Sequence, residues 1–255
     1  RMIIAFDIGG SAIKAGVALS DTEITPLGRR PTPLDDFGAF VDTLRTFIAE
    51  AGGTPTLLSI SIAGVVDPDT QLLTCANIPC IHQRTIAADL QAELGVPVLV
   101  ANDADCFAMA EAGLGAGRGH RIVLGVILGT GVGGGVIANG RLINEAGGFA
   151  GEWGHGPIVA LRAGHPPVEI PHYACGCGQS GCVDSVGGAR GMERLHKTLH
   201  GLDFTSEEII GQWLRGEEKA TRTIDVFIDL LASPLALTVN ITGATIVPVA
   251  GGLSN

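Results

Sequence analysis

Short apolar runs ending in glycine recur along this chain, and they set its plan. Residues 2–6 form an apolar run into Asp7-Ile-Gly9-Gly10-Ser11, and residues 13–19 read as a second strand, so the chain opens with strand, glycine turn, strand. Residues 35–51 carry Phe37, Phe40, Val41, Leu44, Phe47 and Ile48 at helical spacing, with Asp35 and Asp36 to start the helix and Gly52-Gly53 to stop it. A β-rich run at 57–63 enters Gly64, and a short helix over 85–94 has Ile86, Leu90 and Leu94 on one face. Residues 96–101 predict a buried strand that runs into Asn102-Asp103-Ala104-Asp105, residue types that start helices, and an Ala-rich helix follows to about Gly113.

The second half repeats this plan. Residues 113–120 are Gly-rich and read as a domain boundary and hinge. Residues 122–128 form an apolar strand, the run from Gly129 to Gly135 reads as a glycine turn, and 136–138 resume a strand before the turn Asn139-Gly140. Residues 205–240 are helical with a kink or break at Pro234, and a strand over 246–249 enters Gly251-Gly252. Because 3–19 and 122–143 share one pattern, the expectation is two related α/β halves, 1–116 and 117–255, facing each other across a cleft.

Composition narrows the function. The 255 residues are 46% hydrophobic and 16% charged, enough apolar material for a large core in one domain or two. A net charge of −10 without a Lys/Arg cluster argues against nucleic-acid and lipid-surface partners, whose phosphates require neutralising cations. No apolar run reads as long enough to span a bilayer, nothing resembles a secretory signal, and the cysteines read as reduced or metal-bound, so the cytoplasm is the expected compartment.

The 38 glycines cluster where backbone would approach a ligand. Glycine turns at strand ends, at Gly9-Gly10, 129–135 and Gly251-Gly252, present N–H groups to a phosphate, although a hairpin or bulge also needs glycine. None fits the Gly-Lys-Ser/Thr phosphate loop or the Gly-x-Gly-x-x-Gly dinucleotide setting. Asp7 is placed to hold Mg²⁺ through water, or is an ordinary turn aspartate. Asp103, at a strand end beside Asn102, is the candidate base; the alternatives are an N-cap pair, or Asp105 as the functional acid.

Cys175, Cys177 and Cys182 fall within eight residues among glycines, with His155 upstream in Gly151-Glu-Trp-Gly-His155. Thiolates and an imidazole suit a closed, structural zinc site; free thiols or one disulfide with a spare are the alternatives, and His165 and His172 compete with His155 as fourth ligand. His82, His120, His196 and His200 read as surface or helix residues, Cys75, Cys80 and Cys106 as buried thiols, and Trp153 and Trp213 as packing residues.

Asp7-Ile-Gly-Gly-Ser11, Asn102-Asp103, Leu128-Gly-Thr-Gly-Val-Gly-Gly-Gly135, Gly151-Glu-Trp-Gly-His155, Cys175-Gly-Cys-Gly-Gln-Ser-Gly-Cys182 and Gly251-Gly-Leu-Ser254 together resemble the ROK sugar kinases (repressors, open reading frames and kinases). The resemblance runs nearly the full chain. It implies an actin/hexokinase-like (ribonuclease H-like) duplicated α/β fold that closes on ATP and sugar. It also implies transfer of phosphate to the 6-hydroxyl of an N-acetylhexosamine, foremost N-acetylglucosamine, with Asp103 as general base. N-acetylmannosamine, glucose or fructose are alternative substrates, and a ROK regulator lacking its DNA-binding domain is an alternative class. Matching positions assign the sugar to Gly64, Asn77, Asn102, Asp103, Glu152 and His155, and to Asp184, where the family usually has Glu. They assign the nucleotide and its Mg²⁺ to Asp7, Gly9, Gly10, Ser11, Lys14, Thr130, Gly131, Val132, Gly133, Gly251 and Gly252, and zinc to His155, Cys175, Cys177 and Cys182. His155 would then bind zinc through one ring nitrogen and sugar through the other. The family further implies a homodimer and a C-terminal return helix, for which this chain, ending at Asn255, has no counterpart.

Overall fold

The structure, a computed structural model, describes residues 2–20 and 22–254; Arg1, Asp21 and Asn255 lie outside the described residues. The chain forms two compact units, one from the residues up to Cys106 together with Ile143–Phe149, the other from Phe107–Leu142 and the residues from Ala150 onward. The division thus falls ahead of the glycine-rich 113–120 segment where a boundary was expected, and a seven-residue segment returns to the first unit.

In the first unit, β1 (Ile3–Ile8) and β2 (Ala12–Ala18) form the opening hairpin, and β3 (Ile24–Pro31) adds to its outer edge. Helix α1 (Phe37–Glu50) begins where the Asp36 carboxylate accepts from the Ala39 N–H at 3.1 Å, an N-cap that satisfies one of the first-turn donors. Strand β4 (Leu57–Ile62) lies parallel to β1, and the short pair β5 (Val65–Val66) and β6 (Leu73–Thr74) follows. Helix α2 (Ile86–Leu94) ends at Gly95 in the left-handed region and leads to β7 (Val98–Asn102), parallel to β4. The sheet order is β3-β2-β1-β4-β7. Ile4, Phe6 and Ile8 alternate inward with Leu58, Ile60 and Ile62 and meet Phe40, Leu44 and Phe47 of α1, so the period of two in the strands faces the helical period on one core.

Helix α3 (Asp103–Gly113) leaves β7 without a loop. In the second unit β8 (Ile122–Leu128) and β9 (Val132–Ala138) form an antiparallel hairpin, extended by β10 (Arg141–Leu142) on one side and by β13 (Val249–Ala250), parallel to β8, on the other. Only 129–131 turns. Gly133, Gly134 and Gly135, expected in a long glycine turn, pair in β9, where Trp153 lies against Gly134 and donates to the Gly133 carbonyl at 3.0 Å. Gly125, inside β8, is required by packing: a Cβ there would lie 2.7 Å from the Ala108 methyl of α3.

The hairpin β11 (Arg162–Ala163) and β12 (Val168–Glu169) precedes α4 (Asp184–Gly187), α5 (Ala189–His200), α6 (Ser206–Leu214) and α7 (Glu218–Thr242). The break expected at Pro234 occurs earlier, at Gly216 between α6 and α7 with φ +76°. Helix α7 runs through Pro234 because that ring is itself buried beside Phe227, Leu230 and Leu231, and this packing offsets one missing backbone bond. Contrary to the expectation from the sequence, α7 is long and apolar enough by length and composition to cross a membrane. In this fold one face packs in the unit's core, and the acids on α7 make tertiary bonds, Asp225 to the His165 N–H and Asp229 to the Gly164 N–H.

Candidate active site

In the first unit, Asn102 ends β7 and caps α3. Its amide nitrogen donates to the Gly64 carbonyl at 3.0 Å and its oxygen accepts from the Ala104 N–H at 2.8 Å. Both ends of the side chain are therefore fixed, and the next residue, Asp103, is aimed by a rigid strand end. The Asp103 carboxylate also accepts from Ala104 N–H at 2.9 Å. Although solvent reaches its outer face, surrounding protein desolvates it and raises its carboxyl above the usual range, with the charge of Asp7 adding to the rise and the Ala104 N–H opposing it. Asp105 differs: it is 3% exposed and accepts from the Asn144 amide at 3.1 Å, a structural acid inside the unit.

The turn after β1 is tight. Gly9 N–H bonds the Ala12 carbonyl at 3.0 Å, and Thr32, absent from the sequence-based assignment, donates its hydroxyl to the Gly9 carbonyl at 2.6 Å. Nothing local marks Thr32, since it lies just past β3 and 23 residues along the chain from Gly9. Gly10 packs on Asn77, where a Cβ would come within 3.2 Å, and Gly64 has no space for a side chain because the Thr74 carbonyl would lie at 2.8 Å. Asp7 accepts from Lys14 at 2.9 Å across the β1–β2 pair, both side chains exposed, and Ser11 is exposed at the turn.

In the second unit, glycines from three segments converge. Gly129 N–H bonds the Gly131 carbonyl at 3.0 Å, placing Thr130 at the tip of the turn. A Cβ on Gly251, at φ +103°, would lie 2.3 Å from the Leu128 carbonyl, and one on Gly188 would lie 2.4 Å from the Thr130 carbonyl. Backbone therefore packs on backbone, with Gly252 beyond, an approach that only glycine allows. The start of α5 was not read from the sequence as part of this cradle, yet Ala189 and Arg190 donate to the carbonyls of Gly129 (2.8 Å) and Thr130 (3.3 Å). The pair Gly187-Gly188 was the signal for it. Val132, at the end of the turn, has its N–H bonded by the Asp184 carboxylate at 2.8 Å.

The same unit gathers His155, Cys175, Cys177 and Cys182, whose ligand atoms all lie within 4.8 Å of one another. Cys177 and Cys182 are 3.6 Å apart, as are Cys175 and the His155 Nδ1. Zinc at about 2.3 Å from sulfur and 2.0–2.1 Å from nitrogen has tetrahedral edges of about 3.5–3.8 Å, so this donor set fits it. His165 and His172 lie outside the group, bonded to Asp225 and to the Val159 carbonyl. The Gln179 N–H lowers the Cys177 thiol to about 7, whereas burial pushes Cys175 up to about 12 and raises Cys182. The other ring nitrogen of His155 is 3.8 Å from the Glu152 carboxylate, so one glycine-flanked turn presents a carboxylate and an imidazole together.

The chain matches the family model described as "ROK family" over residues 3–255. It is 37% identical to N-acetyl-D-glucosamine kinase of Escherichia fergusonii over 100% of this chain and 85% of that protein. The ROK hexokinase of Thermus thermophilus superposes with a TM-score of 0.83 at 27% identity, covering 100% of this chain and 83% of that one. A ROK family glucokinase from Streptomyces griseus, solved with glucose and AMPPNP, gives 0.77 at 27% identity, with 100% and 84% covered. With a full-length family match and mixed α/β units on the hexokinase plan, the chain belongs to the ROK family.

Proposed function

We propose that this chain, an ATP-dependent sugar kinase, phosphorylates the 6-hydroxyl of N-acetylglucosamine. The observation that carries the reading is the 37% identity with an N-acetyl-D-glucosamine kinase over the whole of this chain. Asp103 is the general base: its carboxylate takes the proton from the sugar 6-hydroxyl as that oxygen bonds to the γ-phosphorus, and the bond from phosphorus to the bridging oxygen breaks to release ADP. Desolvation suits Asp103 to this role, because a raised pKa makes its carboxylate a stronger base. Gly64, Asn77 and Asn102, with Glu152 and His155, bind the sugar; Asn102 does so with its orientation fixed by Gly64 and Ala104. Gly9, Gly10, Ser11, Lys14, Thr130, Gly131, Gly133, Gly251 and Gly252 hold the nucleotide. Mg²⁺, when bound near Asp7, supplies charge neutralisation on the phosphate oxygens. His155, Cys175, Cys177 and Cys182 would hold zinc, which would fix the direction of the His155 ring.

A coupled ATP-consumption assay over hexoses and N-acetylhexosamines tests the substrate, and turnover fastest on glucose or N-acetylmannosamine would reassign it. Asp103→Asn should lower kcat by about 10³-fold while the sugar Kd and thermal stability hold. Because the base must be ionised, wild-type kcat falls as pH drops through the raised Asp103 pKa. Undiminished turnover in the variant removes Asp103 from the mechanism.

A further inference from the structure

Asp184 follows the last cysteine of the thiol cluster by two residues, and its carboxylate points at the glycine turn. One oxygen accepts from the Val132 N–H at 2.8 Å and the other lies 3.7 Å from the Cys175 sulfur. Its own N–H donates to the Gly154 carbonyl at 2.8 Å, which ties the residue to the loop bearing His155. The approach is close: a Cβ on Gly131 would lie 2.2 Å from the same Asp184 oxygen, so Gly131 has to be glycine for the carboxylate to reach Val132. Downstream, Ala189 and Arg190 hold the carbonyls of Gly129 and Thr130. The turn from Gly129 to Val132 is thus gripped through two of its carbonyls and its last N–H by one segment that begins at Cys182.

We propose that Asp184 is a positioning residue for the nucleotide, a strut that sets the shape of the Gly129–Val132 turn from the thiol-cluster loop. The proposal rests on the reading of that turn as the phosphate cradle. It gives Asp184 a role distinct from the sugar contact that the resemblance assigns to this position: its side chain is one methylene shorter than the family's Glu, and one carboxylate oxygen is committed to the Val132 N–H. Fixing the turn before nucleotide arrives lowers the ordering cost of binding, so loss of the strut weakens nucleotide affinity without altering the sugar's ligands.

The test is calorimetric binding of AMPPNP and, separately, of N-acetylglucosamine to wild type, Asp184→Ala and Asp184→Asn, with amide exchange read at Val132. Loss of one such charge-assisted bond should weaken AMPPNP about tenfold in Asp184→Ala and leave sugar affinity within about threefold. Asp184→Asn keeps an oxygen acceptor at the same reach and should restore nucleotide affinity to within about threefold of wild type. The Val132 amide should exchange faster in Asp184→Ala while Val136 and Ile137 in β9 stay protected. If the Ala variant does not fold, Asp184→Leu, which keeps the shape and lacks the acceptor, takes its place. Weakened sugar binding with unchanged AMPPNP, or an Asn variant as impaired as Ala, overturns the proposal. Wild type that binds no AMPPNP overturns the kinase reading with it, whereas wild type that binds while Asp184→Ala binds equally overturns the strut alone.

Discussion

His196 reads in the sequence as a polar residue of a surface or helix, and in the structure it is closed off from solvent, stacked on Phe204 and facing the His200 ring. Its Nδ1 meets the Thr223 hydroxyl at 2.8 Å, and the Nε2 atoms of both histidines have no hydrogen-bond partner among the described residues. Desolvation lowers both imidazole pKa values below 6.5, with neighbouring positive charge adding at both. The unfolded chain therefore takes up protons first as pH falls, so the stability these neutral rings contribute is intact above about pH 6.5 and is lost below it. The urea midpoint should drop between pH 7.5 and 5.5 in wild type and drop less in His196→Leu. A helical period was in fact present here, since Met192, Leu195, His196 and Leu199 share a face, but a histidine counted as polar hides it. Gly125 shows the opposite limit. The strand around it was legible, whereas its reason, the Ala108 methyl of α3, lies in tertiary packing that local pattern does not encode; Gly125→Ala should cost about 1–3 kcal/mol in chemical denaturation.

Among the elements, those with a strong apolar period were read nearly to their ends: α1 lies inside the expected 35–51, and β8 spans the expected 122–128. Strand β3 was missed because it is an edge strand, mostly exposed and interrupted by Pro26 and Gly28, so neither alternation nor propensity marks it. The glycine turn after β8 was read too long because sequence shows glycine but not its cause; Gly134 in β9 leaves room for Trp153, whose ring would lie 2.7 Å from a Cβ there. The thiol cluster was legible from spacing alone, since cysteines this close bring their sulfurs together in any tight loop. That loop has little regular structure of its own, as only short β pairs and bridges occur between β10 and α4. It should therefore depend on metal: one zinc per chain by elemental analysis, and, after chelation, protease cleavage between residues 155 and 184 while β8 and β9 stay intact. Cleavage that is unchanged by chelation would show that the loop holds without metal.

At the scale of the whole molecule, composition sets partners and topology sets assembly. With a net charge of −10, the protein should show no retention of duplex DNA at low salt by fluorescence anisotropy, and measurable retention would favour a regulatory role. The paired halves were visible as a repeated strand–turn–strand plan, but the return of Ile143–Phe149 to the first unit was not, because seven residues without a strong period carry no address. In that segment Asn144 holds Asp105, the Ala146 carbonyl accepts from Gln71, and Gly148 N–H donates to the Val66 carbonyl. On a ribosome, chain emerges in order, so the first unit cannot close over Asp105 until β8 and β9 have already been made. Residues 1–116, the fragment that the sequence alone would isolate as a domain, lack all three of these bonds. Synthesis thus imposes a sequence of events on folding, in which the first half waits for a clasp that the second half must deliver.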